Sequence, residues 1–254
     1  PKLPALHTWE VEAREERIAE EEFAQSQVTM QNLKIKEQNE AAGAKGELSI
    51  RLPEGVTGDQ IAVSNDYVTQ TIRVEIPQAD RTYFDSYPVL GNSDYIDGLS
   101  YTRQGEMGVI EVTTNKVYEL QTEYDAQNFY FNFLTPHEVY DKVVVIDAGH
   151  GGRAVGANKQ GINEKDIDLA IVLKLKEIFD NSDQNIGVYY TRTDDSNPTF
   201  DQRVQLANKS DADLFISIHN NSTRSGRMSG TSGTQVMYDE TSEASRQFAQ
   251  ICLE

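Results

Sequence analysis

Four apolar residues in a row, Val143-Val144-Val145-Ile146, run straight into Asp147-Ala148-Gly149-His150-Gly151-Gly152. A strand that is apolar on both faces has to be covered on both faces, as in the buried sheets of α/β proteins. The glycines end it. Apolar residues then return at helical spacing over 164–179: Ile167, Ile171, Leu175 and Ile178, with Leu169 and Leu173 widening the stripe. Asn163 is placed to cap that helix. The alternation continues with a strand over 186–191, a helix over 200–210, a strand over 214–218, a strand over 234–238 and a helix over 242–253. This pattern predicts an α/β domain over 141–254, with a mixed, largely parallel sheet flanked by helices.

The period changes upstream. Ile72, Val74 and Ile76 alternate with Arg73 and Glu75, and Phe129, Phe131 and Phe133 alternate with Tyr130 and Asn132. Turn-forming clusters such as Gly91-Asn92-Ser93-Asp94 punctuate these runs, so 47–140 reads as a small antiparallel all-β domain. Residues 1–46 read as a charged helical lead. Glu10, Glu12, Glu15, Glu16, Glu20, Glu21 and Glu22 mix with Arg14 and Arg17, and Glu40–Gly46 looks like a hinge. Such a lead is a solvated stalk or linker, or a helix that packs on a partner or on the next domain.

Composition narrows the function classes. The 254 residues are 38% hydrophobic, which suits a folded chain, but their net charge is −18. A protein that tracks a phosphate backbone needs a basic face, so nucleic acid is excluded as a partner. The same charge opposes adsorption to anionic lipid. No apolar run is long enough for a membrane helix. Cys252 is the only cysteine, which excludes an intrachain disulfide and a Cys-rich zinc module. That fits a cytosolic protein or a bacterial exported one. The opening residue is Pro1, the mark of a processed or trimmed product, and it leaves room for an upstream signal peptide or membrane anchor removed before it.

Three side chains carry the candidate chemistry. His150 follows the first buried strand, Glu164 opens the next helix and His219 ends the strand over 214–218. Ligands of open α/β sheets gather beyond the carboxyl ends of the strands. The three can therefore converge on one point. Two histidines and a carboxylate are a known ligand set for catalytic Zn2+, which leaves one position for water.

At this point the sequence resembles a known family, the zinc-dependent N-acetylmuramoyl-L-alanine amidases of bacterial cell walls. The resemblance is carried by VVVIDAGHGG (143–152), GINEKD (161–166), TRTDD (191–195), RVQLAN (203–208) and ADLFISIHNNS (212–222), in order, and covers 143–254. It implies that His150, Glu164 and His219 are the zinc ligands. It implies hydrolysis of the amide between N-acetylmuramic acid and L-alanine in peptidoglycan, and an extracytoplasmic place of action in wall remodelling or autolysis. Asp147 is a candidate to orient His150 through its other ring nitrogen, and Asn220 to do similar work near His219. A turn residue bonding local backbone is the alternative for each. Arg192 and Arg203 read as internal partners of carboxylates. The β-domain is similar in pattern and position to modules that localise such amidases on the wall, or is a folded spacer.

The sequence departs from the family in places. Ala148 stands where the family often has proline, Asn221 extends the His-Asn motif, and a Ser/Gly-rich loop spans 222–233. The family's catalytic glutamate lies in a late segment. Glu240, Glu243 and Glu254 are in no matching motif, so the amidase domain is expected to be truncated before its last strand and that glutamate. This leaves two rival expectations: a catalytically impaired amidase fold acting as a peptidoglycan-binding or regulatory module, and a zinc hydrolase of another amide or ester.

Overall fold

The computed structural model describes residues 31–33, 36–37, 45–222, 230 and 232–254. The helix expected over Glu10–Glu22 lies outside them, as does most of the Ser/Gly-rich loop. The chain forms two compact units, residues 1–220 and 221–254.

The first part of the larger unit is a β-sandwich. In chain order its strands are β1 (Gln31–Asn32), β2 (Lys36–Glu37), β3 (Leu48–Arg51), β4 (Ala62–Asp66), β5 (Thr71–Pro77), β6 (Leu90–Gly91), β7 (Ile96–Gln104), β8 (Met107–Thr114), β9 (Glu119–Tyr124) and β10 (Asn128–Leu134). One sheet has the order β1-β7-β8-β5-β4 and the other β2-β6-β3-β10-β9. All neighbours are antiparallel except β2 and β6. The period-two pattern decides what each face buries. Ile72, Val74 and Ile76 of β5 meet Leu48, Ile50, Phe129 and Phe131 of the other sheet in one core. Within the region expected to be a helical lead, the described residues of β1 and β2 are short strands added to these two sheets. A short helix, α1 (Arg81–Ser86), is capped by Asp80, whose carboxylate accepts the Tyr83 N–H at 2.9 Å.

A further short helix, α2 (Pro136–Val139), leads into the α/β part. There β11 (Lys142–Ala148) is the central strand. Next come the two-residue strands β12 (Asn158–Lys159) and β13 (Ile162–Asn163), helix α3 (Glu164–Asp180), strand β14 (Ile186–Tyr190), helix α4 (Phe200–Lys209) and strand β15 (Leu214–Ile218). β11 pairs in parallel with β14 on one side and β15 on the other. Its alternate residues go to opposite layers. Ile146 and Ala148 pack with Val172 of α3. Val143 and Val145 pack with Leu206 of α4, and with Val117 and Tyr67 from the sandwich.

The sandwich and the α/β sheet thus share a buried cluster. Polar bonds reinforce it: the hydroxyls of Tyr67 and Tyr189 both donate to the Glu119 carboxylate, at 2.9 and 2.6 Å. The Val117 N–H donates to the Lys209 carbonyl at 3.0 Å.

Two further expectations need correction. The isoleucine stripe of α3 does not form its buried face. Ile167, Ile171 and Ile178 are exposed, whereas Glu164, Asp168 and Val172 are buried. The helix is rotated so that its carboxylate pair points inward, toward the ends of β11 and β15. Nor is there a strand over 234–238. Alternation makes a strand only where a partner supplies the ladder, and among the described residues this segment has none. Met237 is 86% exposed. In the smaller unit the described helix is α5 (Glu243–Ile251), capped by Ser242, whose hydroxyl accepts the Ser245 N–H at 3.2 Å.

Candidate metal centre

β11 and β15 deliver His150 and His219 from adjacent carboxyl ends, and the start of α3 delivers Glu164. His150 Nε2 lies 3.1 Å from Glu164 Oε1. His219 Nδ1 lies 3.2 Å from His150 Nε2 and 3.3 Å from Glu164 Oε1. The two imidazole rings meet edge to face, 82° apart. His150 and Glu164 are buried, while the His219 side chain is 43% exposed.

The backbone makes this convergence possible. His150 itself has a left-handed conformation, φ 60°, which is uncommon for a residue with a side chain. Gly149 has to be glycine for another reason: a Cβ there would sit 2.3 Å from Cε1 of His219. The loop carbonyls are pinned by two buried arginines. Arg192 donates to the carbonyls of Ala148 at 2.9 Å, Gly149 at 2.6 Å and Lys165 at 2.9 Å. Arg203 donates to those of Ala148 at 2.7 Å and His150 at 2.8 Å.

Glu164 is held at both oxygens. The Ala157 N–H donates to Oε2 at 2.7 Å and the Asn220 N–H to Oε1 at 2.8 Å. Asn163 stands at the expected cap position, but its side chain does not cap the helix. The loop does that work instead, since Glu164 N–H donates to the Ala157 carbonyl at 2.8 Å. Burial alone would raise the Glu164 carboxyl. Hydrogen bonds from His150, His219 and Ala157 overcome it and hold the group well below the usual carboxylate range.

Asp147 was expected against the second ring nitrogen of His150. Its bonds run elsewhere. Oδ1 accepts from Thr191 and Arg203, both at 2.6 Å, and Oδ2 accepts from Ser217 at 2.6 Å. It supports His150 only through Arg203, which grips the His150 carbonyl. Burial pushes the Asp147 carboxyl up, but the Arg203 charge and the two hydroxyls outweigh it and hold the group low. Arg203 is therefore the carboxylate partner the sequence suggested, whereas Arg192 serves carbonyls.

Asn220 lies where it was expected, beside His219, and does two things. Its N–H holds Glu164, and its Nδ2 donates to Asp168 Oδ1 at 2.6 Å. Asp168 is the residue that sequence reasoning missed. Its side chain joins His150, Glu164 and His219 in a group whose ligand atoms all lie within 4.8 Å of one another. Burial raises the Asp168 carboxyl to about 6; the bond from Asn220 opposes the shift and the Glu164 charge adds to it. The available signal was the four-residue spacing of Glu164 and Asp168, which puts both on one helix face.

The donor set fits a zinc ion. With bonds of about 2.0–2.1 Å, neighbouring ligands of a tetrahedral zinc stand about 3.3–3.4 Å apart. The three separations are close to that edge, and two nitrogens with one ionised carboxylate oxygen suit a divalent metal ion such as zinc.

Residues 144–254 match the N-acetylmuramoyl-L-alanine amidase family. This segment is a cell-wall amidase domain. The chain is 45% identical over 86 residues to the endolysin of Bacillus phage SPP1, covering 34% of this chain and 31% of that protein. It is 41% identical over 78 residues to the N-acetylmuramoyl-L-alanine amidase CwlM of Bacillus licheniformis, covering 31% of each. The chain thus spans about a third of the length of these two relatives. Among solved structures, the CwlD amidase of Clostridioides difficile in complex with the GerS lipoprotein is similar at 34% identity and a TM-score of 0.35, covering 44% of this chain and 63% of that one.

Proposed function

We propose that this chain is a zinc-dependent N-acetylmuramoyl-L-alanine amidase. It hydrolyses the amide between the lactyl group of N-acetylmuramic acid and L-alanine in peptidoglycan, outside the cytoplasm, in wall remodelling or autolysis. The observation that carries the reading is the meeting of His150, Glu164 and His219 at 3.1–3.3 Å inside the amidase segment.

Zinc bound there supplies a hydroxide near neutral pH and a Lewis acid for a carbonyl. The protein's own part is to hold the donors ready. His150 offers Nε2 and His219 offers Nδ1. Glu164 stays ionised because the Ala157 and Asn220 amides and the two imidazoles all favour its charged form. Arg192 and Arg203 fix the loop so that His150 keeps its left-handed backbone. Exposed His219 leaves one side of the centre accessible to a wall-sized substrate. Beside it a narrow cleft is lined by Asn197, Pro198, Phe200 and Arg203.

The acidic charge is no obstacle, since neutral glycan is recognised by shape and hydrogen bonds. No described helix is long and apolar enough to cross a membrane. The β-sandwich over 47–140 is assigned a localising role on the wall, ahead of the catalytic domain at 141–254. Its shared cluster with the α/β sheet supports a fixed placement.

The test is digestion of purified peptidoglycan by the zinc-loaded chain. New L-alanine amino termini should appear while glycan reducing ends stay constant. New reducing ends, or release of other amines or acids without L-alanine termini, would overturn the assignment.

A further inference from the structure

Asp168 follows Glu164 by one helical turn on α3, so both carboxylates leave the same face. Its side chain is fully buried. Oδ1 is satisfied by Asn220 at 2.6 Å, but Oδ2 is buried with no hydrogen-bond partner among the described residues. A buried carboxylate oxygen without a donor is costly, so something else must compensate it.

Among the described residues, the neighbouring cations Lys165 and Arg192 are committed elsewhere. Lys165 binds both oxygens of Asp195 at 2.8 and 2.7 Å and the Gly152 carbonyl at 2.7 Å. Arg192 spends its donors on backbone carbonyls. What does lie within reach is the donor cluster itself, since an Asp168 oxygen is within 4.8 Å of the ligand atoms of His150, Glu164 and His219.

We infer that Asp168 is a fourth protein donor of the metal centre, which makes the set two histidines, a glutamate and an aspartate and leaves the hydrolytic water as a fifth ligand. The inference rests on the metal-centre reading above. Two carboxylates neutralise a dication completely, whereas Glu164 alone leaves it half compensated. The added oxygen also makes the site more hospitable to a harder ion such as Mn2+ than a two-histidine, one-glutamate set would be.

The experiment compares the parent chain, Asp168→Asn and Asn220→Ala after metal removal. Zinc affinity is measured by competition with a chromophoric chelator, and the ligand set by visible absorption of the Co2+-loaded proteins. The amide oxygen of Asp168→Asn can still accept from Asn220, so a purely positioning role would survive that substitution. As a ligand, Asp168 predicts that Asp168→Asn weakens zinc by about 100-fold or more and alters the Co2+ spectrum. Asn220→Ala should keep the parent's Co2+ spectrum. The metal-free Asp168→Asn protein should melt at a higher temperature than the metal-free parent, because a buried charge is gone; this also confirms that it folds. A parent that binds zinc with Asp168→Asn matching it in affinity and spectrum overturns this inference alone. A parent that takes up no zinc overturns it together with the metal-centre reading.

Discussion

His150 Nε2 and Glu164 Oε1 stand 3.1 Å apart, one on a glycine loop after a strand and the other on the first turn of a helix. Neither is free to move away. Arg203 holds the His150 carbonyl at 2.8 Å, and the Ala157 and Asn220 amides hold the Glu164 carboxylate at 2.7 and 2.8 Å. These bonds fix the positions of both donors, and each support is separately testable.

Gly149 tests the packing behind His219. A Cβ there would stand 2.3 Å from His219 Cε1, so Gly149→Ala must displace the ring. Zinc affinity should fall about 10–100-fold, with little change in the circular dichroism of the sandwich. An affinity equal to the parent's, read by the same chelator competition, would show that the ring can yield without cost.

Arg203 and Asp147 form a buried pair at 2.6 Å. Arg203→Ala strands the carboxylate and should cost about 3–5 kcal/mol in denaturant unfolding. Arg203→Lys should rescue little, because a single ammonium cannot reach Asp147 and two carbonyls with the geometry of the fork.

The same pair sets an acid limb. The Asp147 carboxyl is held below its ordinary value of 3.8. Its contribution is fully present above that value and is lost as pH falls through the lower folded one. Asp147→Asn should therefore destabilise at neutral pH, yet show a shallower loss of stability below pH 3.8. Parallel acid limbs in parent and variant would contradict this.

The seam between sandwich and α/β sheet depends on Glu119. Tyr189→Phe removes a donor at 2.6 Å from its carboxylate and should cost about 1.5–3 kcal/mol. Zinc affinity should be untouched, since the pair lies at the base of the sheet's packing and not among the donors. A coupled fall in zinc affinity would place the seam in control of the site.

Much of this was legible in the sequence because its signals are local. Val143–Ile146 could only be a doubly covered strand, and Phe129, Phe131 and Phe133 could only be one face of a sheet. The ends of β11 and β15 then placed His150 and His219 together. What failed depends on tertiary context. Helical periodicity marks an apolar stripe on α3 but cannot say which way the helix turns, so exposed Ile167 and Ile171 read as core while Asp168 was passed over. The strand expected over 234–238 did not form, because pairing is not encoded in one segment. Asp147 was misdirected for a similar reason. Its partners Thr191, Arg203 and Ser217 are distant in sequence and converge only in the fold.

The most direct measurement is the zinc content of metal-depleted, reloaded protein, by elemental analysis, with His219→Ala beside the parent. The arrangement of His150, Glu164 and His219 predicts about one zinc ion per parent chain and little in the variant. Equal zinc in both, or none in the parent, would contradict it.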